Sequence, residues 1–376
     1  MTLSFESAAK SAAVCTWCAN CRSGCPSFEA TRDEAASGRG RIGMVLALAS
    51  GSLAPSPRMA AAFASCTRCG WCDTVCPVKI PVRAAIDAAR TRVTPPTELG
   101  RVARLMLALL RDPVAARRAR RLIRRFQEAR AVRDRCSFPP VAPVEPRLAL
   151  PTPDAADVVL SIGCRIEAFV PEAAADAAVV LAACGLKVGA ASQPVCSGFL
   201  QEAWGAHDEA AACAAATRTS AAGRPLATLC GGCRNTARDS EIPVAADDVG
   251  AWVVRAGWHG PFRPEALVGP VFVHEPCAFR HGREGTSVLD LLRRAGVDAV
   301  RFAPVACCGG AAPACVDAPE ESEKMGEIVR AALEAAPPKT LVTSDPGCLL
   351  QFRRMTGDLG IEVIHAATAL RRVLFV

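Results

Sequence analysis

The chain has 376 residues, of which 20 are cysteine and 22% are charged, with a formal net charge of +7. This length permits two or three domains with substantial cores, and cysteines grouped in clusters argue for metal ligation in a reducing compartment rather than a secreted disulfide scaffold. No apolar run reaches the ~18–20 residues that span a bilayer, and the nearest, Ala173 to Leu186, contains Asp176. The N-terminus, MTLSFESAAKSAAVCTWC, has no basic start followed by an apolar core and a cleavage site. The expectation is a cytoplasmic protein, or one peripheral to the inner face of a membrane.

Residues 1–95 contain two matching cysteine runs, Cys15–Pro26 (CTWCANCRSGCP) and Cys66–Pro77 (CTRCGWCDTVCP). Each places three cysteines at three-residue intervals, a fourth four residues later, and then proline. This is the bacterial ferredoxin cadence, in which the fourth cysteine of each run serves the other run's cluster. A tight loop sets the first three thiolates over one face of an iron–sulfur cube, while the fourth, carried past a helical turn, points away. Cys15, Cys18, Cys21 and Cys76 are therefore expected to hold one [4Fe–4S] cluster, and Cys66, Cys69, Cys72 and Cys25 the other. Zinc knuckles or disulfides are the alternative, but zinc sites use two CxxC pairs rather than triplets trailed by CP. Between the runs, a loop leads into a helix over RIGMVLALAS, and a second helix runs from Met59 to Ala64. A further helix over Val82–Arg92 stops at Pro95-Pro96, which makes this module mostly helical.

Residues 96–136 are arginine-rich. Twelve arginines stand between Arg101 and Arg135 against Asp112, Glu128 and Asp134. Leu105, Leu109 and Leu110, then Leu122, Ile123 and Phe126, predict apolar stripes on two basic helices. Such a face is either simply solvated or a docking surface for an acidic redox partner or anionic lipid. No tyrosine and no recognisable binding motif speak for nucleic acid. Residues 137–153 carry six prolines and read as a stiff linker.

The rest of the chain repeats itself, as residues 154–265 and 266–376. An apolar run over Asp157–Gly163 ends at Cys164, a helix over Pro171–Cys184 follows, and Cys196-Ser197-Gly198 precedes a strand, PLATL, that leads into Cys230 and Cys233. In the second half, GPVFVHEP leads to Cys277, Cys307-Cys308-Gly309-Gly310 follows, and KTLVTS leads to Asp345 and Cys348. The offsets are nearly constant: Cys164 to Cys277 is 113, Cys196 to Cys307 is 111, and Cys233 to Cys348 is 115. Strands alternating with helices predict parallel βαβ units, with ligand sites beyond the carboxyl ends of the strands. The fold class expected is thus α+β and multidomain: a mostly helical two-cluster module followed by a duplicated α/β domain. Cys136, Cys184, Cys213 and Cys315 lie outside every motif and read as small buried hydrophobes. His207, His259, His281 and His365 lack ligand spacing, and His274 reads as a support for Cys277 rather than a ligand.

The duplicated pattern Cys…Cys-Cys-Gly…Cys-x-x-Cys resembles the CCG-domain iron–sulfur proteins, among them the catalytic subunit of heterodisulfide reductase. With a two-cluster module ahead of it, the chain is most similar to the glycolate oxidase and lactate-utilisation iron–sulfur subunits. Gly38-Arg39-Gly40-Arg41-Ile42 resembles the PRGRI segment of that family, and His274-Glu275-Pro276-Cys277 its HxPC segment. Heterodisulfide reductase-type repeats use five cysteines for a non-cubane cluster. Here Ser197 and Asp345 stand at cysteine positions, which leaves Cys164, Cys196, Cys230 and Cys233 in the first repeat and Cys277, Cys307, Cys308 and Cys348 in the second. The resemblance implies one or two further [4Fe–4S] clusters, one of them replaceable by zinc. It implies an electron-transfer subunit with a flavoprotein dehydrogenase and a second redox partner; the alternative is a thiol–disulfide or quinone reductase. No GxGxxG or Walker sequence provides a nucleotide site.

Overall fold

The structure, a computed structural model, describes residues 3–112, 115, 118, 119, 121, 149–192, 196–239, 243–280, 288–303, 307–311 and 313–374. Most of the second arginine-rich helix, Cys136, most of the proline-rich stretch and His281 lie outside these.

The N-terminal module is helical, as its sequence predicts. Helices Phe5–Ala12, Gly38–Ala49, Pro57–Ala64 and Val82–Val93 pack around Ile42, Val45, Phe63, Ala85 and Ile86. Local signals set their starts. Ser37 Oγ accepts the Gly40 N–H at 2.9 Å, and Ser56 caps a helix whose first residue is Pro57. The next helix, Arg101–Arg111, corrects one expectation. Its inward face is Ala103 and Leu107, packed on Leu200 and Trp204, whereas Leu105 is 60% exposed. Arg111 pairs with Glu209, so burial is decided by the surface this helix meets and not by its most apolar stripe.

Each repeat forms a four-stranded parallel sheet. The first comprises β1 (Val158–Ser161), β2 (Val188–Ala190), β3 (Leu226–Thr228) and β4 (Ala246–Asp248); the second comprises β5 (Val271–His274), β6 (Ala299–Phe302), β7 (Thr340–Thr343) and β8 (Glu362–His365). The strand orders are β2-β1-β3-β4 and β6-β5-β7-β8, the same arrangement twice. Registers correspond as well, with Val158 opposite Val188 and Val271 opposite Ala299. Strands β4, β6 and β8 were not anticipated, because three or four residues of mixed polarity carry little periodicity.

The two repeats share one core. Val158, Leu160, Leu181 and Val253 from the first and Val271, Leu341, Leu349 and Leu370 from the second belong to a single buried cluster. The packing is reciprocal. The last helix, Ala366–Val373, lies on Pro171–Ala183 of the first repeat, and Val249–Arg255 lies on Val288–Arg294 of the second. Thr368 Oγ1 donates to Asp176 at 2.6 Å, and His365 Nε2 donates to the Leu229 carbonyl at 3.1 Å. The latter assignment follows from His365 Nδ1, which accepts the Ala367 N–H. His365 is thus a neutral, buried strap between repeats, and burial lowers its pKa further.

This shared core predicts that damage in one repeat unfolds both. Leu370→Ala, at a residue 1% exposed, should cost about 2–5 kcal/mol. Thermal unfolding of the anaerobic protein, followed by tryptophan fluorescence, should show one transition at lower temperature. Two separated transitions would mean that the repeats fold independently.

Candidate functional site: cysteine-lined cavities

The two ferredoxin-like runs adopt the same backbone. Trp17 and Arg68, each two residues after the first cysteine of its run, are left-handed with φ of +58° and +56°; Ala19 and Gly70 are left-handed too, at +64° and +86°. Holding a non-glycine residue there costs about 1–2 kcal/mol, which this tight loop sustains in order to turn its sulfurs inward. One cavity is lined by Cys15, Cys18, Cys21 and Cys76. A second is lined by Cys25, Cys66, Cys69 and Cys72, and Cys21 lines it as well. The fold thus brings together the crossed sets and not the sequential ones.

These two cavities differ in surroundings. At the first, Cys18 is exposed, Trp17 is 51% exposed and Val78 40%. Burial and the neighbouring Cys15 raise the Cys21 thiol to about 11. At the second, burial pushes Cys69 and Cys72 up further, and Cys307 of the second repeat adds to the rise at Cys69. The N-terminal module is clamped to the first repeat by buried arginines. Arg68 pairs with Asp87 at 2.9 Å and Glu202 at 3.4 Å, and stacks on Phe199 at 5.4 Å. Arg90 donates to the carbonyls of Phe63, Cys66 and Ala203 at 2.7, 3.2 and 3.1 Å.

Both repeats open onto one central cavity of about 90 Å³. Cys164, Cys196, Cys230 and Cys233 line one side, and Cys277, Cys307, Cys308 and Cys348 the other. They arrive there because each follows the carboxyl end of a strand: Cys164 and Cys277 begin helices just after β1 and β5, and Cys233 and Cys348 lie in the first turns of helices after β3 and β7. Glycine completes the CCG turns. Gly198 and Gly309 have φ of +87° and +83°, and a Cβ on either would stand 2.7 or 2.6 Å from a backbone oxygen. Backbone N–H groups of Gly309 and Gly310 point at Cys307 and Cys308 sulfur, at 3.5 and 3.4 Å. Cys307, which also receives the thiols of Cys277 and Cys308, is held well below the ordinary thiol range. Contact with Cys307 raises the thiols of Cys277 and Cys308, contact with Cys196 raises that of Cys164 and contact with Cys230 that of Cys233, and burial adds to each.

The two departures from the cysteine pattern have separate roles. Asp345 Oδ1 accepts the Gly347 N–H at 2.8 Å, capping helix Pro346–Thr356, while Oδ2 accepts the Gly231 N–H across the repeat boundary at 2.9 Å. It is a strap between the repeats as well as a wall of the cavity. Ser197 lines the cavity beside Cys233.

Sequence reasoning missed Cys213. Its sulfur accepts from Gln201 Nε2 at 3.6 Å and lies next to Cys196, whose own thiol faces Gln201 Oε1 at 3.7 Å. A fifth sulfur therefore adjoins the first repeat's set, at a place that no linear motif marks. Cys315 faces the guanidinium of Arg165 and is likewise more than filler. Cys184 does pack against the shared core, and burial lifts its thiol to about 11. His274 is buried edge-on to Phe352, with Nδ1 3.1 Å from Thr343 Oγ1; burial and Arg280 lower its pKa to about 3, which keeps it neutral. His207 approaches Thr91 at 3.5 Å and His259 approaches Arg294 at 3.2 Å, neither of them among the cysteines.

The donor set fits iron–sulfur clusters. Cysteine sulfurs line all three cavities, four or more to each, which suits polynuclear iron–sulfur groups. Residues 11–80 match the family model for a 4Fe-4S dicluster domain, and residues 271–353 match that for a Cysteine-rich domain, CCG. The chain therefore carries an N-terminal dicluster ferredoxin domain and a C-terminal CCG domain, with the iron–sulfur, electron-transport role those domains have. The CCG match covers the second repeat, and the first is tied to it by identical strand order and by the paired glycines. Comparison with curated proteins gave no match.

The crossed cavities generate a direct test. Cys76→Ser should impair the cluster of the Cys15, Cys18 and Cys21 site, leaving the other intact by EPR and iron content. Loss of the cluster at Cys66, Cys69 and Cys72 instead would overturn the crossed assignment.

Proposed function

We propose that the chain is the electron-transfer subunit of a larger oxidoreductase. It would link a flavin-dependent dehydrogenase, of 2-hydroxy-acid type or similar, to a ferredoxin, quinone or other acceptor. The carrying observation is that the cysteine cavities share walls. Cys21 lines both ferredoxin-like cavities, and Thr67, Arg68 and Arg83 line both the second of these and the central cavity. [4Fe–4S] clusters held at these cysteines supply one-electron storage with no organic cofactor. Cys15, Cys18, Cys21 and Cys76 would hold the outermost, Cys25, Cys66, Cys69 and Cys72 the next, and the two CCG sets the innermost.

The residues between the sites exclude water and fix spacing. Arg68 and Arg90 seal the joint between module and repeats, and Thr67 faces the Cys307 sulfur. The exposed Trp17 and Cys18 mark one end of the row, and the central cavity marks the other. Two ends need two partners. No helix among the described residues is long and apolar enough to cross a membrane, so any membrane contact would be peripheral, through the arginine-rich segment.

Anaerobically purified protein should contain more than the about eight iron atoms of two cubane clusters. It should carry electrons between artificial donors and acceptors without reducing a disulfide at a useful rate. About eight irons with two zincs would end the relay through the repeats and make the CCG domain a structural platform.

A second reading, a thiol–disulfide reductase at the first repeat, is favoured by Cys213 beside Cys196, which raises that set to five sulfurs. Rapid, Cys213-dependent reduction of a small disulfide would establish it over the first.

Docking through residues 101–135 would be electrostatic. An acidic ferredoxin used as a probe should bind more slowly as salt rises, since the screening length falls from about 10 Å at 0.1 M to about 3 Å at 1 M. Neutralising Arg117, Arg118, Arg120 and Arg121 together should slow association and leave folding unchanged. Binding indifferent to salt would return this segment to an ordinary solvated face.

A further inference from the structure

Arg41, in the Gly38–Ile42 segment, is 1% exposed, and all three of its side-chain nitrogens face neutral groups. Nε donates to the Ala62 carbonyl at 2.7 Å, and Nη2 donates to the hydroxyls of Ser65 and Ser27 at 2.8 and 3.2 Å. Nη1 points at the sulfur of Cys25, 3.9 Å away. Ser27 in turn donates to the Ser65 carbonyl at 3.0 Å, so the guanidinium is locked in one orientation. None of these acceptors is a carboxylate. A guanidinium buried among neutral groups is strongly unfavourable unless an anion lies beside it.

Arg41 is not alone around this site. Arg90 donates to the Cys66 carbonyl, and Arg68 lines the same cavity. Against these three buried cations stand Asp87, which pairs with both Arg68 and Arg90, and Glu202, which pairs with Arg68. Arg83, which also lines this cavity, is paired with Asp73 and Asp239, so of these four arginines Arg41 is the one whose hydrogen bonds go to neutral acceptors and to a cysteine sulfur rather than to a carboxylate. The Cys15 cavity differs: its lining arginine, Arg39, is matched by Glu34 at 2.7 Å.

We infer that Arg41 is the built-in counter-charge of the Cys25, Cys66, Cys69 and Cys72 site, and that it sets the reduction potential there above that of the Cys15 site. A fixed cation with an N–H aimed at a ligand sulfur stabilises the more negative, reduced form of a cluster, and it does so most strongly in a dry surround. The first electron added to the ferredoxin module then rests on the inner site, next to Cys307, and not on the exposed one. The inference rests on the proposed ligand sets, which Cys76→Ser tests separately. If that variant damages the wrong cluster, the assignment fails. If it damages the right one and Arg41 has no effect, this inference alone fails.

The test is an EPR-monitored redox titration of the full chain, unaltered and as Arg41→Gln and Arg41→Lys. One of the two ferredoxin-type potentials should fall in Arg41→Gln. The oxidised-to-reduced ratio at fixed ambient potential should rise about tenfold, which for one electron is about 59 mV. The other potential should stay, and Arg41→Lys should recover most of the shift. Neither potential moving, or both moving equally, overturns the inference. A measurement that leaves Arg41 intact covers the case in which the variants do not fold. Cys18→Ser, at an exposed position, should remove the outer cluster and leave the higher-potential signal of the pair. If the lower-potential signal remains instead, the inference is wrong.

Discussion

The structure depends on the reciprocal packing of two half-domains over one core. Each parallel sheet leaves its ligand-bearing loops at the carboxyl ends of its strands. Because Ala366–Val373 lies across Pro171–Ala183 while Val249–Arg255 lies across Val288–Arg294, the two sets of loops face each other. The central cavity is a product of that arrangement. Asp345 illustrates the coupling: its carboxylate caps its own helix and holds a backbone N–H of the opposite repeat.

The second organising force is electrostatic. Thiolates gathered in a poorly solvated interior repel one another, which is why burial and mutual proximity raise so many of these thiols together. A protein that brings them together must supply cations or N–H groups nearby. Arg41, Arg68, Arg90 and Arg165 are the cations, and the glycines after Cys307 and Cys308 supply the N–H groups. The arginines are also mechanical: Arg90 joins the second cysteine run to the first repeat through carbonyls on both sides.

The paired cysteine runs show how one local geometry can be put to two uses. Both hold a left-handed residue two places after the first cysteine. In one run that residue is Trp17, directed to solvent, and in the other it is Arg68, buried against the repeats. The same loop thus makes an outward site and an inward one, and the side chain at that single position accompanies the difference.

Much of this was legible in the sequence because it is local. The ferredoxin cadence, the helical module, the strands after Asp157 and before Cys277, and the near-constant spacing of the repeats all follow from short-range pattern and composition. The sequence also marked Ser197 and Asp345 as departures. What Asp345 does instead lies 114 residues away, at Gly231, and no spacing rule reaches that far. Strands of three or four residues, the choice of Ala103 and Leu107 over Leu105 as a buried face, and the approach of Cys213 to Cys196 were decided by the surfaces those residues meet. By itself, then, the sequence determined which sulfurs are available and how each loop presents them. Only the tertiary structure decided which loops face one another, because that follows from burying two amphipathic half-domains in a single core.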